Sequence, residues 1–116
     1  MIRKVFNSFV FAWNGLKTTW KEEINFRIEI LVSIVIIFCA FYFKFVIGEM
    51  LFCILSVVMV LSAEILNTAV EDVCNKIEPN QDPTIGKIKD IMAGFVLVTV
   101  IAAITITLII FYHHFF

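Results

Sequence analysis

Charge is absent from the last part of this chain: Ile91 to Phe116 contains no Asp, Glu, Lys or Arg. An uncharged apolar run longer than about 18 residues reads as a membrane span. There is no basic surplus either. Nine Lys and Arg against ten Asp and Glu leave a net charge of −1, which gives no reason to expect nucleic acid. Cysteine is sparse: Cys39, Cys53 and Cys74 form no CxxC pair, so neither a disulfide framework nor a zinc site is expected. A signal peptide is not expected, because Asn7, Ser8, Asn14 and Lys17 interrupt any apolar core near the N-terminus. No GxxxxGK[ST] or GxGxxG loop occurs, which excludes the standard soluble nucleotide enzymes. What abounds is apolar surface. At 116 residues, 61% hydrophobic and a mean hydropathy of +0.99, a chain of one domain at most has too little interior to hide it. A soluble enzyme and a disordered chain are both excluded. An integral membrane protein remains.

The apolar pattern divides the chain into an all-α arrangement, one membrane-embedded domain over residues 1–116. Phe6, Phe9, Trp13, Leu16 and Trp20 fall three and four apart, on one stripe of an amphipathic helix over about 1–22. Arg3, Lys4, Asn7, Asn14, Lys17 and Lys21 occupy its other faces, which suits a helix lying in the membrane interface. Three spans follow, over about 28–47, 50–70 and 91–112. A tight turn is expected at Gly48–Glu49, and a polar connection runs from Glu71 to about Asp90. Arg3, Lys4, Lys17, Lys21 and Arg27 precede the first span, and Lys76, Lys87 and Lys89 lie between the second and third. Three spans put both groups on one side, and the positive-inside rule makes that side cytoplasmic. The C-terminus, with His113 and His114 at an interfacial end, is then periplasmic.

Glu64 interrupts an apolar run, and a carboxylate at membrane depth costs about 2.5–3.5 kcal/mol on insertion scales. Asn67, Glu71 and Asn75 follow at helical spacing. At about 100° per residue these four side chains form one narrow stripe rising from the membrane interior to its surface. Glu22, Glu23, Asn25, Arg27 and Glu29 crowd the start of the first span, and Gly86, Lys87, Lys89 and Asp90 that of the third. Carboxylates with asparagines suit a hard cation such as Mg²⁺, which takes oxygen ligands and usually carries phosphate. Lysines suit the phosphate oxygens. The plainer reading, polar residues as interhelical glue, does not require three acids and two lysines.

The stretch Ala63-Glu64-Ile65-Leu66-Asn67-Thr68-Ala69-Val70-Glu71 resembles the E-x-x-N-[ST]-A-[IV]-E signature of the small bacterial diacylglycerol kinases. Gly86-Lys87-Ile88-Lys89-Asp90 is similar to their G-x-x-K-D segment. Ala12-Trp13-Asn14-Gly15-Leu16 and Trp20 to Glu29 match upstream. The resemblance implies a homotrimeric bundle of three-span subunits with an N-terminal surface helix and composite sites between subunits. It implies transfer of the γ-phosphoryl group of MgATP to a lipid hydroxyl at the cytoplasmic face of the bacterial inner membrane. Glu64 would be the catalytic base, and Glu23 and Glu71 the metal ligands. Nucleotide contacts would come from Lys4, Phe11, Glu23, Asn67, Glu71, Asn80, Gln81, Asp82, Lys89 and Asp90. The lipid would meet Lys4, Asn25, Phe26, Arg27, Ile28, Glu29 and Glu64.

The chain departs from that family pattern in places. Asn75 stands where many relatives carry Asp, Lys4 where an Arg is frequent, Phe11 where a Tyr is frequent, and Asn80-Gln81-Asp82 where Glu-Tyr-His or similar is common. These changes touch the rim of the nucleotide pocket and leave Glu64, Asn67 and Glu71 of the stripe intact. Arg27-Ile28-Glu29 resembles the diacylglycerol enzymes, whereas Ala93-Gly94 leans towards the related undecaprenol kinases. Diacylglycerol is the expected substrate and undecaprenol the alternative. A small proton-coupled exporter would also use one intramembrane Glu, but it has no use for the lysine-rich acidic connection. A pure scaffold would tolerate Glu64→Gln without loss of any turnover.

Overall fold

The computed structural model describes residues 1–116 and is built of four helices: α1 (Ile2–Glu22), α2 (Ile24–Tyr42), α3 (Ile47–Ile77) and α4 (Pro83–Phe115). The last three are long and apolar enough to cross a membrane. With 31 and 33 residues, α3 and α4 are about 46 and 50 Å long, against about 30 Å of hydrocarbon. Both therefore project beyond the apolar layer.

The helix ends differ from the sequence expectation in two places. The first turn lies at residues 43–46 and not at Gly48–Glu49, both of which are already in α3. Lys44, at φ 57°, takes the left-handed position that ends α2. The Phe45 N–H donates to the Ala40 carbonyl at 2.9 Å and the Lys44 N–H to that of Phe41 at 3.2 Å, the paired bonds of a Schellman motif. Phe45 then packs against Ala40 and Cys53, the apolar contact that accompanies such a cap. Glu49 starts the next helix, its Oε1 accepting from the Val46 N–H at 3.0 Å.

The second difference is in the polar connection. Residues 71–77 continue α3 and residues 83–90 begin α4, so only Glu78–Asp82 is non-helical. Asp82 makes the restart abrupt. Its carboxylate accepts from the Thr84 and Ile85 N–H groups at 3.0 Å, and Pro83 fills the first helical position, where a missing N–H costs nothing. Glu23, in extended conformation, separates α1 from α2.

Packing centres on α3, which lies most extensively along α4, less along α2, and touches α1. Small side chains let the helices approach: Ala40, Cys53, Ser56, Ala63, Thr68 and Thr99 are all buried, as expected where packing and not water expulsion holds helices together. The hydroxyls of Ser33, Ser56, Thr68 and Thr99 donate to carbonyls three or four residues back, so none is left unpaired in an apolar setting. Only 13 of the 116 residues are buried within the chain. Most of its apolar surface must face lipid or other protein.

Candidate functional site: a carboxylate cluster where three helices meet

Helix α3 carries Glu64, Asn67 and Glu71 up one stripe and meets the α1–α2 junction beside it. The Glu23 carboxyl lies next to those of Glu71 and Glu64, and Glu22 faces Asp72. Deeper, the Glu29 carboxyl of α2 lies beside that of Glu64. Glu64 is 2% exposed. Its Oε2, that of Glu29, and the Nε of Arg27 are buried without a hydrogen-bond partner. An unpaired buried polar atom costs about 1–3 kcal/mol, so three of them at one level mark a place prepared for something else.

Charge crowding is the second feature. Glu23 is only partly covered, yet its carboxyl is raised above its ordinary value, first by burial and then by the negative charges of Glu71 and Glu64. Glu22 is raised chiefly by the charge of Asp72. A cation beside Glu23 and Glu71 would relieve the repulsion. The donors there are all hard oxygens, the ligand type Mg²⁺ prefers, and two carboxylates leave room for phosphate and water ligands. The residues present fit that ion.

On the α4 side, Lys89 joins two concavities. The smaller, about 120 Å³, is lined by Asn67, Val70, Glu71, Met92 and Ala93 together with Lys89. The larger, about 600 Å³, is bordered by Asn80, Gln81, Asp82 and Gly86, again with Lys89. The Lys89 Nζ donates to Asn75 Oδ1 at 2.7 Å, which holds the ammonium over the top of the stripe. Below the carboxylates a groove of about 280 Å³ opens between α2, α3 and α4. Glu29 stands at its polar end, Val60, Val100 and Ile104 along its walls, and Leu108 far down it.

The expected site residues are thus brought together only in part. Glu23, Arg27, Glu29, Glu64, Asn67, Glu71 and Lys89 gather along the stripe, with Glu29 and Glu64 deepest, and Asn80 and Gln81 edge the outer concavity. One oxygen of the Asp82 carboxylate, Oδ2, caps α4, and the residue borders the outer concavity. Phe26 is buried, whereas Asn25, Ile28 and Asp90 are exposed. Lys4 and Phe11 are exposed on α1 and line neither concavity. A second polar cluster, Glu49 with His113 and His114, was not anticipated. The available signal was an acid opening an apolar helix and two histidines closing another.

A helical membrane protein with an acidic site at one end of its spans is the class that fold and site define. The prokaryotic diacylglycerol kinase family matches residues 10–111. The undecaprenol kinase of Bacillus subtilis is 31% identical over 95% of this chain and 89% of its own. The diacylglycerol kinase of Escherichia coli K12 is 30% identical over 90% of this chain and 86% of its own. That of Haemophilus influenzae is 33% identical over 72% and 71%. The chain belongs to the prokaryotic diacylglycerol kinase family, whose members among these relatives include both diacylglycerol and undecaprenol kinases.

Proposed function

We propose that this protein is a lipid kinase that transfers the γ-phosphoryl group of MgATP to the hydroxyl of diacylglycerol, giving phosphatidic acid. The observation that carries the reading is Glu64: a buried carboxylate with one oxygen lacking any donor other than the neighbouring Glu29 carboxyl, beside the polar end of an apolar groove between the spans. A lipid hydroxyl arriving from the membrane supplies the missing donor. Glu64 accepts its proton while the hydroxyl oxygen forms a bond to the γ-phosphorus, the bond from that phosphorus to the β–γ bridging oxygen breaks, and ADP leaves. General-base help of this kind is worth about 10²–10⁴ in rate.

Phosphoryl transfer otherwise needs positioning and charge neutralisation. Glu23 and Glu71 would hold Mg²⁺, which neutralises charge on the phosphates. Lys89, steered by Asn75, adds a positive charge between the two concavities. Asn67 donates hydrogen bonds, and Asn80 and Gln81 border the outer concavity where the nucleoside would rest. Arg27 and Glu29 face the lipid headgroup, and the groove takes part of the chain below it.

The same reading accounts for Lys4 and Phe11, which sit on α1 away from either concavity. In a homotrimer, α1 of one chain would bring them to the site of a neighbour, and the exposed apolar faces of α1, α2 and α4 give such an assembly its surfaces. The apolar stripe of α1 would lie in the cytoplasmic interface of the inner membrane, on the side rich in Lys and Arg. Family membership and the lysine-flanked carboxylates favour phosphoryl transfer over proton export.

The test is transfer of label from γ-labelled ATP, with Mg²⁺, to each purified lipid. Label in phosphatidic acid is expected. A clear preference for undecaprenol would reassign the substrate, and label in neither lipid would overturn the reading.

A further inference from the structure

The second polar cluster lies about 22 Å from Glu64 along α3, by the helix rise between positions 49 and 64. Glu49 is 5% exposed. Its Oε1 accepts from the Val46 N–H and lies 2.9 Å from His114 Nδ1, and its Oε2 lies 3.1 Å from His113 Nδ1. The other nitrogen of His114, Nε2, lies 2.9 Å from the Phe43 carbonyl oxygen.

Proton counting fixes the state of His114. A carbonyl oxygen only accepts, so Nε2 must carry a hydrogen. The short contact between Nδ1 and Glu49 Oε1 then needs one further proton between the two groups, and the imidazole, the stronger base, holds it as a second ring N–H. An imidazole that donates from both nitrogens is an imidazolium. Its partner is then the Glu49 carboxylate, and the pair is covered by Phe45, whose ring centroid is 4.3 Å from that of His114, and by Phe115 at 5.0 Å. His113, with its side chain 76% exposed, is an outer partner that water can replace. The other titratable groups at this end are Lys44 in the turn, Cys39 and Tyr42 on α2, Cys53 on α3, and Tyr112 and the Phe116 α-carboxyl at the end of α4. None of them makes a hydrogen bond to Glu49 or His114.

We propose that Glu49 and His114 form a proton-dependent staple tying the end of α4 to the α2–α3 turn. The turn needs one: it is closed by Lys44, a non-glycine residue in the left-handed region, a conformation that glycine adopts at less cost. When His114 gives up its proton, one of its two bonds must break, either to Glu49 or to Phe43. The last turn of α4 and the 43–46 segment then loosen together. The staple holds while His114 is protonated and Glu49 ionised, and it weakens on alkalinisation.

Two measurements on the purified full chain in detergent test this. Thermal unfolding should lose about 4 °C or more between mildly acidic and alkaline pH beyond the change seen in His114→Gln. His113→Gln should keep the wild-type dependence, and Glu49→Gln should flatten it as His114→Gln does. Nitrogen chemical shifts of ¹⁵N-histidine-labelled wild-type protein at mildly acidic pH should show both His114 nitrogens protonated. This second readout needs no Glu49 variant to fold. An unprotonated His114 nitrogen there, or equal pH slopes in wild type and His114→Gln, would overturn the staple.

Discussion

Glu29 of α2 and Glu64 of α3 place their carboxyls side by side within the bundle, each with a buried Oε2 that no protein group outside the pair reaches. Two carboxylates this close and away from water are stable when one of them carries a proton. The role proposed for Glu64 as base leaves that proton on Glu29. Glu29→Gln copies the protonated state, so kcat should stay within about tenfold of wild type, whereas Glu64→Gln loses about 10²–10⁴. Lipid-kinase turnover measured on both variants checks the asymmetry. Equal losses would show that the two residues do not divide the work in this way.

The crowding of Glu23 against Glu71 bears on the metal. If Glu23 and Glu71 hold Mg²⁺ as proposed, removing either carboxylate takes away an oxygen ligand, so Glu23→Ala and Glu71→Ala should each raise the Mg²⁺ concentration needed for half-maximal activity and reduce turnover severely. A Mg²⁺ titration of each variant gives the answer residue by residue. Wild-type activity at low Mg²⁺ in one variant removes that residue from the metal site.

Acidity acts on the same group. The Glu23 carboxyl is raised above its ordinary value of 4.5, so on acidification it takes up a proton earlier than an ordinary glutamate does. Because Mg²⁺ requires the ionised form, apparent Mg²⁺ affinity should begin to fall at a pH above the ordinary carboxylate range. Without metal the sign for stability is the reverse. Between the ordinary and the raised value the folded chain binds more protons than the unfolded one, so stability declines as pH rises through that window. Glu23→Gln should remove part of that decline, which thermal unfolding in chelator across a pH series would reveal.

Much of this was readable in the residues because membranes make polar placement costly. Glu64, Asn67, Glu71 and Asn75 keep helical spacing through an apolar run, and that pattern survives whatever the exact ends of the helix. The ends themselves were harder. The turn at Lys44 carries no glycine, and a lone lysine near the end of an apolar run fits a helix whose basic side chain reaches the interface as well as it fits a helix stop. Gly48, which looks like a turn residue, lies instead in the first turn of α3. Residues 71–77 looked like a connection because they are polar, yet the periodicity of the stripe continues through them. The Glu49 pairing with His113 and His114 joins positions more than 60 residues apart, and one sequence holds no record of such a meeting. The cap that Asp82 Oδ2 gives to the N-terminus of α4 adds a structural role to a residue that also borders the outer concavity.

The base role of Glu64 is decided by the kcat of Glu64→Gln for transfer of the γ-phosphoryl group from MgATP to lipid. The amide keeps the shape of the side chain and costs less to bury than a carboxylate, so the fold should survive. Glu64 lies about two helical turns deeper than Glu71, so MgATP should still bind. A general base at this position means kcat lower by about 10²–10⁴ in the amide variant with little change in the KM for ATP or lipid, the pattern of an interaction made mainly in the transition state. A near-normal kcat would contradict it and reduce Glu64 to a hydrogen-bonding contact between helices.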